Sequence, residues 1–216
     1  MKINYGNFES NLLFLKKTGM LSKNAKILEI GSGKGNMLRY LKNEGCQVTG
    51  IDANKEYIDF GKKELGVEIT MMSGDQLEFN DNSFDIVMSF DVLEHIPNSD
   101  KHLEEVRRVL KPGGYYLLQT PNKWLNIPFE IVHQKSLTKY KTYHCSLHNF
   151  WEIKKRFRKH NFETSFVDIP VVNDFFKQKI KKFFGHAGLL LIRIINPDKL
   201  PTFLKTNFYI VAKLKQ

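Results

Sequence analysis

Three glycines at alternate positions, Gly31, Gly33 and Gly35, stand where an apolar run, Ile27-Leu28-Glu29-Ile30, gives way to a helical pattern through Met37, Leu38 and Leu41. A tight glycine turn at the carboxyl end of a strand lets backbone come close to a ligand. A second apolar segment ends in Asp52, 17 residues beyond Gly35. A carboxylate at the tip of the second strand of a βαβ unit can accept hydrogen bonds from both hydroxyls of a ribose. A third segment stops at Gly74-Asp75-Gln76, and a fourth, Phe84–Phe90, runs into Asp91-Val92-Leu93-Glu94-His95. An imidazole at the mouth of such a site can act as a base near neutral pH, so His95 is a catalytic candidate. His144 and His148, just before the helical spacing Leu147, Phe150, Ile153, Phe157, add a second imidazole source, and His144 is the first of them to test. His102 and His160 fall on charged helix faces, where no role is expected.

The glycine spacing departs from G-x-G-x-x-G, because the third glycine comes one residue early. A Glu two residues before the first glycine is also foreign to that fingerprint. Both points argue against a dinucleotide-dependent oxidoreductase, the first rival reading.

These residues need a scaffold. Apolar strands alternate with helical segments through residue 120, which implies a doubly wound, mostly parallel sheet with helices on both faces. Asn54 can cap a helix ending at Gly66, and Ser99 one ending before Pro112. Residues 7–18, with Phe8, Leu12 and Leu15, read as an amphipathic leading helix closed by Gly19. Two final strands are expected at Thr164–Ile169 and Phe208–Leu214. At 216 residues the chain suits one domain with a full core. Its expected parts are a helical cover (1–25), a core (26–120), a loop (121–148), and a C-terminal half (149–216) with an insertion at 175–204.

In this order, LEIGSGKG at 28–35, GID at 50–52, GD at 74–75, FDIVMSFDVLEHI at 84–96 and LKPGG at 110–114 resemble the class I S-adenosylmethionine-dependent methyltransferases. The likeness is greatest to the ubiquinone- and menaquinone-biosynthesis branch. It covers about half the chain and identifies cofactor and reaction class but not the acceptor. It implies a Rossmann-like α/β fold of seven mostly parallel strands, the last antiparallel and preceded by a helical insertion. It implies S-adenosylmethionine as cofactor. Glu29, Gly31, Gly33 and Gly35 would surround its methionine end, and Asp52 would bind its ribose. Asp75 and the Gln76 backbone would read the adenine edge, which Ala53 would flank. Ser89 and Phe90 would close over the sulfonium. The leading helix would cover the pocket.

Some members of the family hold a divalent metal with E-x-x-E-H and a later His. Here the motif reads D-x-x-E-H, with Asp91 in place of Glu, and a sulfonium is already an activated donor. No metal is therefore expected. Methyl transfer then needs positioning and exclusion of water more than covalent help from the protein.

The acceptor side is less legible. Residues 121–146 are long for a loop, and Trp124, Phe129, Tyr140, Tyr143 and His144 suit the lining of an acceptor pocket. Residues 135–216 hold 17 Lys+Arg against 5 Asp+Glu, so the net charge of +10 lies wholly in that part. Such asymmetry suggests an anionic acceptor or surface. The segment 175–204 joins basic, aromatic and apolar residues, and reads as a lid over the pocket or a peripheral membrane contact. A small-molecule, glycan or lipid-linked acceptor is expected, with O-methylation first and N- or C-methylation open. Two distant cysteines and no apolar leader point to a reducing cytoplasm, with the inner membrane face as an extension. Nucleic acid is not expected as a partner, and the intact cofactor motifs argue against a non-catalytic membrane or nucleic-acid-binding module.

Overall fold

The computed structural model describes residues 7–170 and 172–215. The outermost bounds of the domain reading therefore lie outside the described residues. The sequence forms seven strands: β1 (Lys26–Ile30), β2 (Gln47–Asp52), β3 (Ile69–Met71), β4 (Phe84–Phe90), β5 (Leu110–Pro121), β6 (Phe162–Phe166) and β7 (Asn207–Leu214). They make one sheet in the order β3-β2-β1-β4-β5-β7-β6. β3, β2, β1, β4 and β5 pair in parallel, while β7 runs antiparallel to both β5 and β6. The chain order reverses between β1 and β4, and the carboxyl ends beside that switch are where open α/β sheets bind ligands.

The pleat sorts side chains by parity. Leu28, Ile30, Val87, Tyr116, Leu118, Phe208 and Ile210 belong to one core. Ile27, Ile86, Met88, Leu117, Tyr209 and Val211 belong to the other. The first face is covered by α4 (Ser99–Val109) and α6 (Phe150–Lys159), through Leu103, Val106, Ile153 and Phe157. The second is covered by α1 (Phe8–Thr18) and α2 (Asn36–Asn43), through Phe14, Leu15, Met37, Leu38 and Leu41. Strands buried on both faces read as near-continuous apolar runs, which is why the sheet was legible in the sequence.

Several local readings shift. The Asn98 side chain, not Ser99, caps α4 by accepting from the Lys101 N–H; Ser99 is already the first helical residue. Asn54 does cap α3 (Lys55–Phe60), which continues as a π turn to the left-handed Gly66. The penultimate strand ends at Phe166 rather than Ile169. The segment 121–148 is largely helical: α5 (Lys123–Gln134) is capped by Asn122 and followed by a 3-10 turn at Lys139–Thr142. Pro121 ends β5, and Pro128 is carried inside α5. His102 and His160 are buried rather than on solvated faces. The insertion forms α7 (Asp174–Ile194), broken at Gly185, whose φ of 61° and ψ of −152° interrupt the helix.

Candidate active site

Two cavities open at the carboxyl edge of the sheet. The larger, about 890 Å³, is lined by Gly31, Gly33, Asp52, Ala53, Ser73 and Gly74, among others, and by Phe90, Asp91 and His95. The smaller, about 470 Å³, is lined by Asp91, Glu94, His95, Phe129, His144 and Lys179, among others. Asp91 and His95 line both.

The three glycines divide their work. A Cβ on Gly31 would meet Val92 Cγ2 at 2.3 Å, and one on Gly35 would meet Val67 Cγ2 at 2.5 Å. A Cβ on Gly33 would meet nothing within 4 Å, so of the two glycines that line the cavity, Gly31 and Gly33, this is the one beside open space. All three have positive φ, between 53° and 84°. Asp52 fixes the turn as well as facing the cavity: Oδ2 accepts from the Gly33 N–H at 2.7 Å and Oδ1 from the Asn54 N–H at 2.8 Å. Each carboxylate oxygen keeps a lone pair for a further donor.

Other expected cofactor residues lie behind the lining. Glu29 is 4% exposed and its Oε2 has no hydrogen-bond partner. Burial pushes its carboxyl up to about 8, which the nearby Asp52 charge also favours. Asp75 accepts from the Ser73 hydroxyl, and the Gln76 N–H is used on the Ser73 carbonyl, so both brace the turn that carries Ser73 and Gly74. Ser89 is fully buried and bonded to the Tyr116 hydroxyl at 2.6 Å, which turns it into the core. Phe90 does line the cavity. Tyr57, Met72 and Ile96 also line it. Their types carry no signature, and only the folded loops bring them there.

In the smaller cavity, His95 Nδ1 lies 2.7 Å from the Tyr143 carbonyl. A carbonyl only accepts, so Nδ1 carries the hydrogen and Nε2 of the neutral ring is left as a base. His144 Nδ1 likewise lies 3.0 Å from Asn126 Oδ1, and the two imidazoles are 5.0 Å apart. Burial and the neighbouring His95 lower the pKa of His144, which keeps it neutral and able to take a proton. Glu94 is 1% exposed and accepts from Thr120 Oγ1 at 3.0 Å. Burial, then the Asp91 charge, raises its pKa well above the carboxylate range. Ligand atoms of Glu94, His95 and His144 all lie within 4.8 Å of one another. His148 is elsewhere: it bridges to Asn122, and burial holds its ring down to about 4.

Phe129, from the aromatic set expected at an acceptor pocket, lines this cavity. Trp124 instead packs on Trp151, with ring centroids 5.2 Å apart. Tyr143 contributes through its backbone carbonyl. Lys179 lies 4.4 Å over the Phe129 ring. Asn7, just before α1, donates to Asp91 Oδ2 at 3.1 Å, which ties the leading helix to the shared wall.

A doubly wound sheet with a glycine turn after β1, an acid at the tip of β2 and a cavity across the switch point defines a nucleoside-binding α/β domain. The family described as "Methyltransferase domain" matches residues 28–118. Phosphoethanolamine N-methyltransferase 2 of Caenorhabditis elegans is 28% identical over 193 residues, covering 85% of this chain and 42% of that protein. Ubiquinone biosynthesis O-methyltransferase of Vibrio cholerae is 29% identical over 119 residues, 52% of this chain and 48% of that protein. This chain thus spans less than half the length of these curated relatives. The solved structure of Haemonchus contortus phosphoethanolamine N-methyltransferase 2, with phosphomonomethylethanolamine and S-adenosylhomocysteine, shares the fold. It has a TM-score of 0.67 and 23% identity, over 96% of this chain and 52% of that one. Over residues 28–118 the chain is thus similar to the methyltransferase-domain family, and its relatives by sequence and fold are methyltransferases.

The residues present fit S-adenosylmethionine. Gly33 leaves open space where any side chain would intrude, and Asp52 presents to the cavity carboxylate oxygens that would suit the hydroxyls of a ribose. Glu29, behind the turn, keeps one buried carboxyl oxygen without a hydrogen-bond partner, which an N–H donor of such a cofactor would satisfy.

Proposed function

We propose that this chain transfers a methyl group from S-adenosylmethionine to a small-molecule, glycan or lipid-linked acceptor held in the smaller cavity, with oxygen as the first target atom. One observation carries the reading: Asp91 and His95 line both cavities, so the larger and smaller sites meet at a shared wall. When bound, S-adenosylmethionine supplies an already activated methyl group on a sulfonium. The chain's own task is then geometric. The Gly33 turn and Asp52 hold the donor side, while His95 and His144 present Nε2 lone pairs to an acceptor hydroxyl and take its proton. Burial, then the Asp91 charge, favours the uncharged form of Glu94, which lessens repulsion of an anionic group at this wall. Lys179 favours an acidic or phosphorylated acceptor, in line with the basic C-terminal half. The relatives' names span nitrogen and oxygen acceptors, and the base pair of histidines is what favours oxygen here.

The test is calorimetric titration with S-adenosylhomocysteine and NAD, followed by mass spectrometry of small molecules retained on purification. Saturable binding of the first nucleoside and none of the second is expected. The converse would overturn the assignment.

A second reading draws on the cluster of Glu94, His95 and His144. Both imidazoles direct Nδ1–H to an oxygen acceptor, the arrangement that orients metal-bound histidines. A divalent ion there would act as a Lewis acid on the acceptor oxygen. Once an acceptor is known, activity that survives chelation supports the base reading. Loss on chelation, restored by one specific ion, supports the metal.

A further inference from the structure

His102 was set aside in the sequence as a residue of a charged helix face, yet it is fully buried and joins two walls of the larger cavity. Its Nδ1 lies 2.7 Å from the Gly74 carbonyl, and its Nε2 lies 2.8 Å from the Tyr116 hydroxyl. The same hydroxyl lies 2.6 Å from Ser89 Oγ. The directions follow from one fixed point. A carbonyl only accepts, so Nδ1 donates; the neutral ring then accepts at Nε2 from Tyr116, whose oxygen accepts from Ser89. Burial, which lowers the imidazole to about 4, keeps the ring in that neutral form. The chain thus runs Ser89 to Tyr116 to His102 to Gly74, with Ser89, Tyr116 and His102 at 0% exposure.

What the chain fastens is specific. Gly74 and Ser73 line the cavity, and Ser89 precedes Phe90 and Asp91, which also line it. Apolar neighbours leave Gly74 no slack: a Cβ there would meet Ile30 Cγ2 at 2.9 Å and Ile96 Cδ1 at 3.1 Å. The same helix grips the loop again further on. Glu105 accepts from the Leu77 N–H at 2.8 Å, and Arg108 donates to the Leu77 and Phe79 carbonyls at 2.6 and 2.7 Å. Residues 102, 105 and 108 recur at one helical face, so α4 acts as a rail along the 74–79 loop, with His102 at its cavity end.

We propose that His102 is a positioning residue for the adenosine half of the cofactor, holding the Ser73–Gly74 wall at a fixed distance from the end of β4. The inference rests on the reading that this cavity binds S-adenosylmethionine. It requires that loss of His102 weaken adenosine recognition rather than only the fold.

The experiment titrates two probes, S-adenosylhomocysteine and 5′-methylthioadenosine, which lacks the amino-acid end. The proteins are the parent, H102L, H102Q, Y116F and H160Q. H102L removes both bonds and should weaken both probes by the same factor, about five- to twentyfold, the range of a lost buried hydrogen bond. H102Q keeps an amide donor for Gly74 and should recover most of that loss. Y116F keeps the ring packing but frees Nε2, and should show a smaller loss in both probes; it also serves if H102L does not fold. His160 is equally buried and bonds Asp100 on the same helix at 2.7 Å, away from the loop. H160Q should lower Tm while both affinities hold. Parental affinities in a folded H102L, or in Y116F where H102L fails to fold, would overturn the inference and leave His102 as core packing. A loss confined to S-adenosylhomocysteine would also overturn it, because the fault would then lie at the methionine end. If the parent binds neither probe, the assignment of the cavity falls, and this inference falls with it.

Discussion

At the residue scale, two carboxylates near the glycine turn behave differently because their surroundings differ. Asp52 is pinned by two backbone N–H donors and faces the cavity. Asp52→Ala should therefore weaken S-adenosylhomocysteine by roughly 1–3 kcal/mol, the cost of leaving partners unpaired. Titration calorimetry checks this, and undiminished affinity in a folded variant would remove Asp52 from the ribose role. Glu29 lies behind the turn with its carboxyl pushed up to about 8. The unfolded chain ionises it near its ordinary value, so between about pH 4.5 and 8 the folded state holds a proton that the unfolded state has released. The stability tied to this proton is full below that window and is lost as pH rises through it. Glu29→Gln should flatten the fall in unfolding free energy by up to about 1.4 kcal/mol per pH unit there. Denaturant melts at pH 5.5 and 7.5 measure it; parallel slopes for parent and variant would show that Glu29 is not held protonated.

At the scale of elements, the strand–turn–helix unit of β1 and α2 carries three glycines that look equivalent in the sequence. Packing separates them. Gly35→Ala would drive a methyl into Val67 at a positive φ, and should cost about 2 kcal/mol or more of stability. Gly33→Ala carries only the left-handed strain, about 1 kcal/mol, and places its methyl in the cavity. The expected pattern is a low Tm for Gly35→Ala, and a nearly parental Tm with binding lost for Gly33→Ala. Thermal melts with and without S-adenosylhomocysteine distinguish the two; equal Tm losses would show that the turn tolerates neither methyl. The histidines make the same point about elements. His95 follows β4 and His144 follows α5, and neither segment alone suggests that their rings sit 5.0 Å apart.

At the scale of the whole molecule, the excess positive charge and a run of exposed apolar residues both fall in the C-terminal part of the chain. The first half of α7 supplies Phe176, Lys179 and Ile180 to the smaller cavity, which suits a roof. Beyond the break at Gly185, Leu190, Leu191, Ile194 and Ile195 are exposed, Ile194 by 73%. No described helix is long and apolar enough to cross a membrane. An exposed apolar edge on a basic half suits the surface of an anionic bilayer instead. Replacing Leu190, Leu191 and Ile194 with Ser should abolish sedimentation with phosphatidylglycerol vesicles and leave cofactor affinity unchanged. Binding by the parent should fall with salt. A parent that ignores both anionic and neutral vesicles would leave α7 as a lid alone and make a freely diffusing acceptor the better reading.

The sequence alone determined the strand–helix alternation, the parallel part of the sheet and the glycine turn after its first strand, because those depend on local signals. Buried parallel strands are continuous apolar runs, turns demand glycine, and the acid at the tip of β2 follows from the length of one βαβ unit. It also determined the charge asymmetry, which is a matter of composition. Only the tertiary structure decided which glycine has open space beside it, that Ser89 turns inward to Tyr116, and that the 121–148 segment is mostly helix with His144 beside His95. It also turned His102 from a surface residue into the buried link between two cavity walls. These depend on contacts between residues 14 to 61 positions apart, from His102–Tyr116 to Gly31–Val92, and on which side of a strand or helix meets a neighbour. No local periodicity encodes that, because the same side-chain pattern can serve a solvated face or a buried one until the packing partner is fixed.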